Sequence, residues 1–156
     1  YEWCELVNHC QNMITLTRKN RTRDIDVRLQ MPKEPYMLYT DPLRLQQVII
    51  NLLNNALKFT PDGGSITLDY EVDEEKQCML FSVTDTGTGI PEDKQELVFQ
   101  RFEKLNEFVQ GTGLGLAICK LTIQYMGGDI WIDKSYKNGA RFIFSHPIKK
   151  QESTEK

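Results

Sequence analysis

The chain has 156 residues, with 19 Lys plus Arg against 22 Asp plus Glu, for a formal net charge of -3. Hydrophobic residues at 40% and charged residues at 26% exclude a disordered or fibrous chain, and folding at this size buries about two-thirds of the unfolded surface, enough for one core with little room for a second domain. No apolar run approaches the ~20 residues needed to cross a bilayer, and the mild acidity argues against nucleic acid as the main partner, because phosphate binding needs a basic surface.

Trp3, Leu6, Val7, Cys10, Met13 and Ile14 recur at three- and four-residue spacing, which predicts an amphipathic helix over residues 2–18, ended by the basic run Arg18 to Arg23. Ile25, Val27 and Leu29 alternate with Asp26, Arg28 and Gln30, the pattern of a half-buried strand. Pro32 and Pro35 break the chain, and Met37 to Tyr39 reads as a short strand. Asp41 followed by Pro42 is a helix start signal, and the helix runs to Phe59.

Thr60 to Gly64 closes that helix, and strands 65–72 and 78–85 follow, joined by the acidic turn Asp73 to Lys76. A glycine loop spans Thr86 to Pro91, a short helix is expected near Asp93 to Val98, and residues 99–112 show no period. A helix from Leu114 to Met126 ends at Gly127-Gly128. Strands 129–135 and 139–146 form a hairpin around Lys137-Asn138-Gly139, and the tail after Lys149 is polar. Hairpins mixed with helices in this order predict one α/β sandwich, with helices on one face of a mixed sheet.

Cys4, Cys10, Cys78 and Cys119 form no C-x-x-C pair, so buried reduced thiols are expected rather than zinc or a disulfide framework. No signal peptide is visible, and Tyr1 opens inside a helical pattern, as expected of a segment cut from a longer protein.

Three stretches carry chemistry. On the helix that begins at Pro42, Leu45, Val48, Ile49, Leu52, Leu53 and Ala56 share one face. Asn51, Asn55 and Lys58 fall together on its flank, with Arg44 in line. An amide oxygen can ligate Mg²⁺ and a Lys can meet phosphate as a point charge; a solvated polar face is the plain alternative. In Asp85-Thr-Gly-Thr-Gly-Ile90, alternating glycines allow close approach of the backbone to a ligand, and the acceptor-only carboxylate suits an exocyclic amine such as that of adenine. A tight turn with a capping Asp explains the same residues. Gly111-Thr-Gly-Leu-Gly-Leu116 leads into a helix, whose N-terminal N–H groups favour phosphate. It is neither a P-loop nor a good dinucleotide fingerprint.

Taken together, in this order and spacing, these stretches resemble the nucleotide boxes of the bacterial sensor histidine kinase catalytic domain, within the gyrase–chaperone–kinase–MutL ATPase superfamily. Asp41 to Thr60 resembles the N box, Asp85 to Ile90 the first glycine box, Phe99 to Phe102 the F box, and Gly111 to Leu116 the second glycine box. Gly139 to Phe142 and Pro147 resemble the end of the domain, so the likeness covers Trp3 to Pro147.

The resemblance implies a two-layer α/β sandwich of the Bergerat type, with three main helices on one face of a mixed, mainly antiparallel sheet. It implies a catalytic and ATP-binding domain over residues 1–149, with 150–156 as a polar, disordered tail. It makes Asn55 the Mg²⁺ ligand, Asn51 its companion near the phosphates, Lys58 a phosphate contact and Asp85 the adenine reader, with Gly87 and Gly89 letting the base lie close. Gly111, Thr112, Gly113, Leu114 and Gly115 then form the hinge and phosphate end of a lid. Lys104 stands where many relatives carry a lid Arg, keeping the charge but losing the forked geometry. Ala140 stands where many relatives have a hydroxyl, which removes one polar contact near adenine.

Phe99 and Phe102 are expected to anchor the lid, Trp131 to be structural, and Tyr125 and Met126 to be core or flank of the last helix. The family's acceptor His is followed at once by Glu or Asp. Here His9 precedes Cys10 and His146 precedes Pro147, so the acceptor hairpin is expected outside this chain, with His9 an exposed side chain and His146 a strand-end residue.

The implied activity is binding of Mg-ATP and donation of its γ-phosphate to that histidine in two-component signalling. The implied partners are the dimerisation hairpin of the same parent and a response regulator receiver domain. The isolated domain is expected to be a monomer, its parent a homodimer anchored in the inner membrane with this domain cytoplasmic. Two rival readings are an ATPase of the gyrase or mismatch-repair type and a degenerate binding module. The first needs a Glu one turn before the metal-binding Asn, and Asn51 stands there.

Overall fold

The structure, a computed structural model, describes residues 1–20, 24–30, 36–91, 93, 95 and 113–148. Ten elements follow in chain order: β1 (Glu2–Glu5), α1 (Leu6–Asn20), β2 (Asp26–Gln30), β3 (Met37–Thr40), α2 (Pro42–Phe59), β4 (Ser65–Asp73), β5 (Cys78–Asp85), α3 (Gly113–Tyr125), β6 (Ile130–Ile132) and β7 (Arg141–Pro147). Five strands form one sheet in the order β2-β4-β5-β7-β6. The β2–β4 pair is parallel and the other pairs are antiparallel.

Alternation along the strands sets one apolar face. Val27, Ile66, Leu68, Tyr70, Met79, Phe81, Val83, Phe142 and Phe144 are buried, and α1, α2 and α3 pack over them. Phe81 and Phe144 stack with centroids 4.7 Å apart on adjacent strands. Burying each such ring contributes about 1.5–3 kcal/mol. From the helices come Leu6, Met13 and Ile14, then Leu45, Ile49, Leu52 and Leu53, then Leu116, Cys119 and Ile123. The predicted sandwich, with three helices on one face of a mixed, mainly antiparallel sheet, is the observed one.

The first predicted helix begins later than its periodicity suggests. Residues 2–5 form β1, paired antiparallel with β3 in a small separate sheet, Trp3 opposite Tyr39. The rings of Trp3 and Tyr39 lie 5.3 Å apart and those of Tyr1 and Tyr39 5.6 Å. Trp3 fits a helical stripe and a strand equally well, and contact with Tyr39 decides for the strand. Glu5 then starts α1, its carboxylate accepting from Asn8 N at 2.9 Å and Val7 N at 3.2 Å.

Helix α2 follows its signals. Asp41 is the N-cap, with φ −93° and ψ 100°, its side chain accepting from Arg44 N, and Pro42 is the first helical residue. The final hairpin is shorter than expected on one side. Asp133 accepts from the Ser135 main-chain N and hydroxyl, so the chain leaves the strand direction after Ile132.

His146 lies at the end of β7 as expected, whereas His9 is not the exposed side chain expected. His9 is half-buried, with Nε2 donating to Pro42 O at 3.1 Å. His146 is buried; Nδ1 donates to Pro147 O at 2.7 Å and Nε2 accepts from Thr40 Oγ1 at 2.9 Å, tying β7 to β3. All four thiols are free; Cys10 and Cys119 are buried, and Cys4 and Cys78 are half-buried.

Candidate functional site

The site is built around α2. Its apolar face points into the core, as the spacing predicts, but the flank is not uniformly solvated. Asn55 is only 3% exposed, and its Oδ1 is buried with no hydrogen-bond partner among the described residues. An orphaned buried carbonyl oxygen costs about 1–3 kcal/mol, so a native chain that keeps one has a use for it. Asn51, one turn earlier, is half-buried. Its side chain lies near the Cys119 sulfur and opposes the burial that pushes that thiol's pKa up to about 11. The Cys119 thiol donates to Val48 O at 3.9 Å, so α3 is latched onto α2 beside Asn51. Lys58 is exposed in the last turn of α2. Arg44 is engaged elsewhere: it pairs with Asp41 at 3.2 Å and lies over the Tyr125 ring, 5.1 Å from its centroid.

The second predicted element is brought to the C-terminal end of the same helix. Thr88 N donates to Phe59 O at 3.2 Å. A Cβ at Gly87 would stand 2.2 Å from that carbonyl oxygen, so the glycine is required for the loop to seat on α2. Half-buried Phe59, which no motif singled out, therefore forms part of this end of the site.

Asp85, the last residue of β5, is 2% exposed. Burial raises its pKa above the usual carboxylate value; hydrogen bonds from the Gly87 and Ala140 main chain oppose the shift. Gly87 N lies 2.9 Å and Ala140 N 3.1 Å from the same oxygen, Oδ1. Oδ2 takes no bond from the described residues and is the oxygen that can accept from a ligand. Ala140 thus meets Asp85 through its main chain, and its methyl side chain supplies no hydroxyl of its own.

Of the third element, α3 begins at Gly113, so Gly113, Leu114 and Gly115 open its first turn. Gly111, Thr112 and Lys104 lie outside the described residues, as do Phe99, Phe102, most of the predicted short helix and the tail. The sequence reading missed Tyr136 of the 133–140 loop, whose hydroxyl donates to Asp85 O at 3.0 Å, and read Gly139 only as a turn and domain-end residue, whereas a Cβ there would lie 2.1 Å from that same oxygen. The pairing of β5 with β7 brings both to Asp85, which no local pattern reveals.

Comparison with known proteins decides the family. The model of the histidine kinase-, DNA gyrase B- and HSP90-like ATPases matches residues 40–150. The chain belongs to this family. Across 99% of its length this ATPase domain is 33% identical to the sensor histidine kinase WalK of Bacillus subtilis, of which it spans 26%. The structure is similar to a mycobacterial sensor histidine kinase, MprB, with a TM-score of 0.81 at 26% identity, covering 97% of this chain and 99% of that one. It is also similar to the histidine kinase ThkA, solved with the response regulator TrrA, with a TM-score of 0.78 at 30% identity, covering 94% of this chain and 41% of that one.

ATP is the nucleotide implied by the family, and the described residues suit it. A buried carboxylate can accept from an amino group, and α2 carries a Lys in its last turn. Among the described residues no cluster of three or more His, Cys, Asp or Glu could hold a metal alone. The fit to Mg²⁺ rests on Asn55: its partnerless Oδ1 is a hard oxygen donor, and Mg²⁺ on a nucleotide commonly takes one or two protein ligands beside phosphate oxygens and water.

Proposed function

We propose that this ATPase domain, spanning residues 1–149, binds Mg-ATP and donates the γ-phosphate to a histidine on a helical hairpin of its parent protein. The observation that carries the reading is the orphaned Oδ1 of Asn55, on the helix whose end seats the Asp85 loop. Asn55 would hold the metal, Asn51 and Lys58 the phosphates, and Asp85 the adenine amino group. Gly87 and Gly89 would shape the base end. Gly111, Thr112, Gly113, Leu114, Gly115 and Lys104 would serve the phosphate end. Bound Mg²⁺ would neutralise charge on the transferring phosphoryl group. The protein's own share is positioning: holding the base at one end fixes where the phosphates lie at the other.

The partners follow from the same reading. Ile118, Leu121 and Tyr125 are exposed on α3 at 41%, 58% and 72%, spaced along one stripe of the helix. An apolar stripe of this kind supports docking of an amphipathic hairpin, in a homodimeric parent. A response regulator is the onward acceptor by analogy with ThkA. No described helix is long and apolar enough to cross a membrane. We assign the domain to the cytoplasm, beneath a parent anchored in the inner membrane.

The test is calorimetric titration of ATP with and without Mg²⁺, for the wild type and Asn55→Ala, followed by radiolabel transfer from γ-labelled ATP to the added upstream hairpin. The expected result is Mg²⁺-dependent binding lost in Asn55→Ala, slow acid-labile labelling of the hairpin and little free phosphate. Equal Mg²⁺ dependence in both proteins would remove Asn55 from the metal site. Rapid phosphate release without transfer would favour the ATPase reading.

A further inference from the structure

The loop between β6 and β7 reaches Asp85 in a way the family motifs do not record. In a regular antiparallel pair, facing residues in the hydrogen-bonded register exchange two N–H···O bonds. Asp85 and Ala140 exchange one, from Asp85 N to Ala140 O at 2.9 Å. The return donor, Ala140 N–H, goes instead to the side chain, to Oδ1 at 3.1 Å. The Asp85 main-chain carbonyl is thereby left off the ladder at a buried residue, where it needs another donor. The Tyr136 hydroxyl supplies it at 3.0 Å. Gly139 leaves the space for this arrangement, since a Cβ there would stand 2.1 Å from the carbonyl oxygen and 2.9 Å from Oδ1.

One N–H and two acceptors are therefore in competition. With the Tyr136 hydroxyl on the carbonyl, Ala140 N–H is free for the carboxylate. Without it, the carbonyl draws that N–H back into the ladder and the carboxylate loses one of the two bonds that fix its rotation. We propose that Tyr136 is a positioning residue that holds the Asp85 carboxylate for reading the amino group of the base, and so contributes to selection of adenine nucleotides. The proposal rests on the nucleotide-binding reading above. It assigns Tyr136 no contact with the nucleotide.

The experiment compares ATP with purine riboside triphosphate, which has the same ring and phosphates but no 6-amino group, on the full chain with Mg²⁺. The wild type should prefer ATP. Tyr136→Phe, which removes a single oxygen, should narrow that preference roughly three- to tenfold, in the range of one neutral hydrogen bond, by weakening ATP alone. Purine riboside triphosphate should bind both proteins equally, which also shows that the variant is folded. The acid limb of ATP affinity should move to higher pH in Tyr136→Phe, because the carboxylate loses a bond that favours its charged form.

Equal weakening of both nucleotides would mean that Tyr136 only packs the loop, and an unchanged preference would mean that the hydroxyl does nothing for Asp85; either overturns the proposal while leaving the nucleotide reading in place. A wild type that does not distinguish the two nucleotides, or an Asp85→Asn variant that keeps the full preference, would overturn the adenine-reading role of Asp85 itself and this proposal with it.

Discussion

Replacing Asn55 with Leu should move stability and ligand binding in opposite directions. The two side chains have the same number of heavy atoms and the same branching, so the substitution changes polarity with little change in shape. Asn55 is 3% exposed and its Oδ1 has no partner among the described residues. Removing an unsatisfied buried acceptor relieves about 1–3 kcal/mol, whereas the lost amide N–H₂ gives back at most about 0.5–1.5 kcal/mol. The net gain is then about 1 kcal/mol, or roughly 2–4 °C in Tm for a domain of this size. Binding should respond the other way, because Leu offers no oxygen to a cation: Mg²⁺ should no longer strengthen ATP binding. Thermal unfolding of the nucleotide-free protein, followed by circular dichroism, checks the first part, and calorimetric titration with and without Mg²⁺ checks the second. A Tm lowered by several degrees would show that Oδ1 is satisfied after all, and Mg²⁺-dependent binding retained in Asn55→Leu would show that a different group meets the metal.

Gly87→Ala should unfold several degrees lower than the wild type, because its Cβ would meet main-chain atoms of Phe59 and Thr60 at 2.2–3.1 Å, where no rotamer change gives relief; a Tm within a degree would argue that the loop has another seat on α2. Burial raises the Asp85 pKa in the free protein, so if the carboxylate reads adenine as proposed, adenine binding should weaken as pH falls through that raised value. Titrations across acid pH should show this slope in the wild type and not in Asp85→Asn. In the nucleotide-free protein the same shift has the opposite consequence: its contribution to stability is fully present below the unfolded carboxylate pKa and is lost as pH rises through the folded value. Burial lowers the His146 pKa from 6.5, so the unfolded chain takes up that proton first and stability is lost as pH falls from about 6.5 through the folded value. Urea midpoints at neutral and mildly acidic pH should differ more for the wild type than for His146→Gln.

The elements that carry the fold were legible wherever their signals were local. The Asp41-Pro42 start of α2, its apolar face and the alternation along β4, β5 and β7 depend on residues a few positions apart, and the observed elements follow them. The three stretches that resemble nucleotide boxes stood out as readily, since alternating glycines and a striped helix flank are spacings within one segment. What local spacing cannot hold is the choice between partners that are distant in sequence. Residues 2–5 satisfy a helical period as well as a strand, and Tyr39, some 35 residues on, settles it. A polar flank on α2 could have been plain solvent-facing surface; packing against α3 is what buries part of it and sets Cys119 against Val48 beside Asn51. Gly87 could be expected to make room for a ligand, but its first demand is the end of α2. The control of Asp85 by Tyr136, Gly139 and Ala140 depends on β7 lying beside β5, more than 50 residues away in the chain. Helical and strand periods are written in the covalent spacing of side chains, whereas burial, competition for one N–H and the exclusion of a Cβ exist only once separate segments share the same few ångströms.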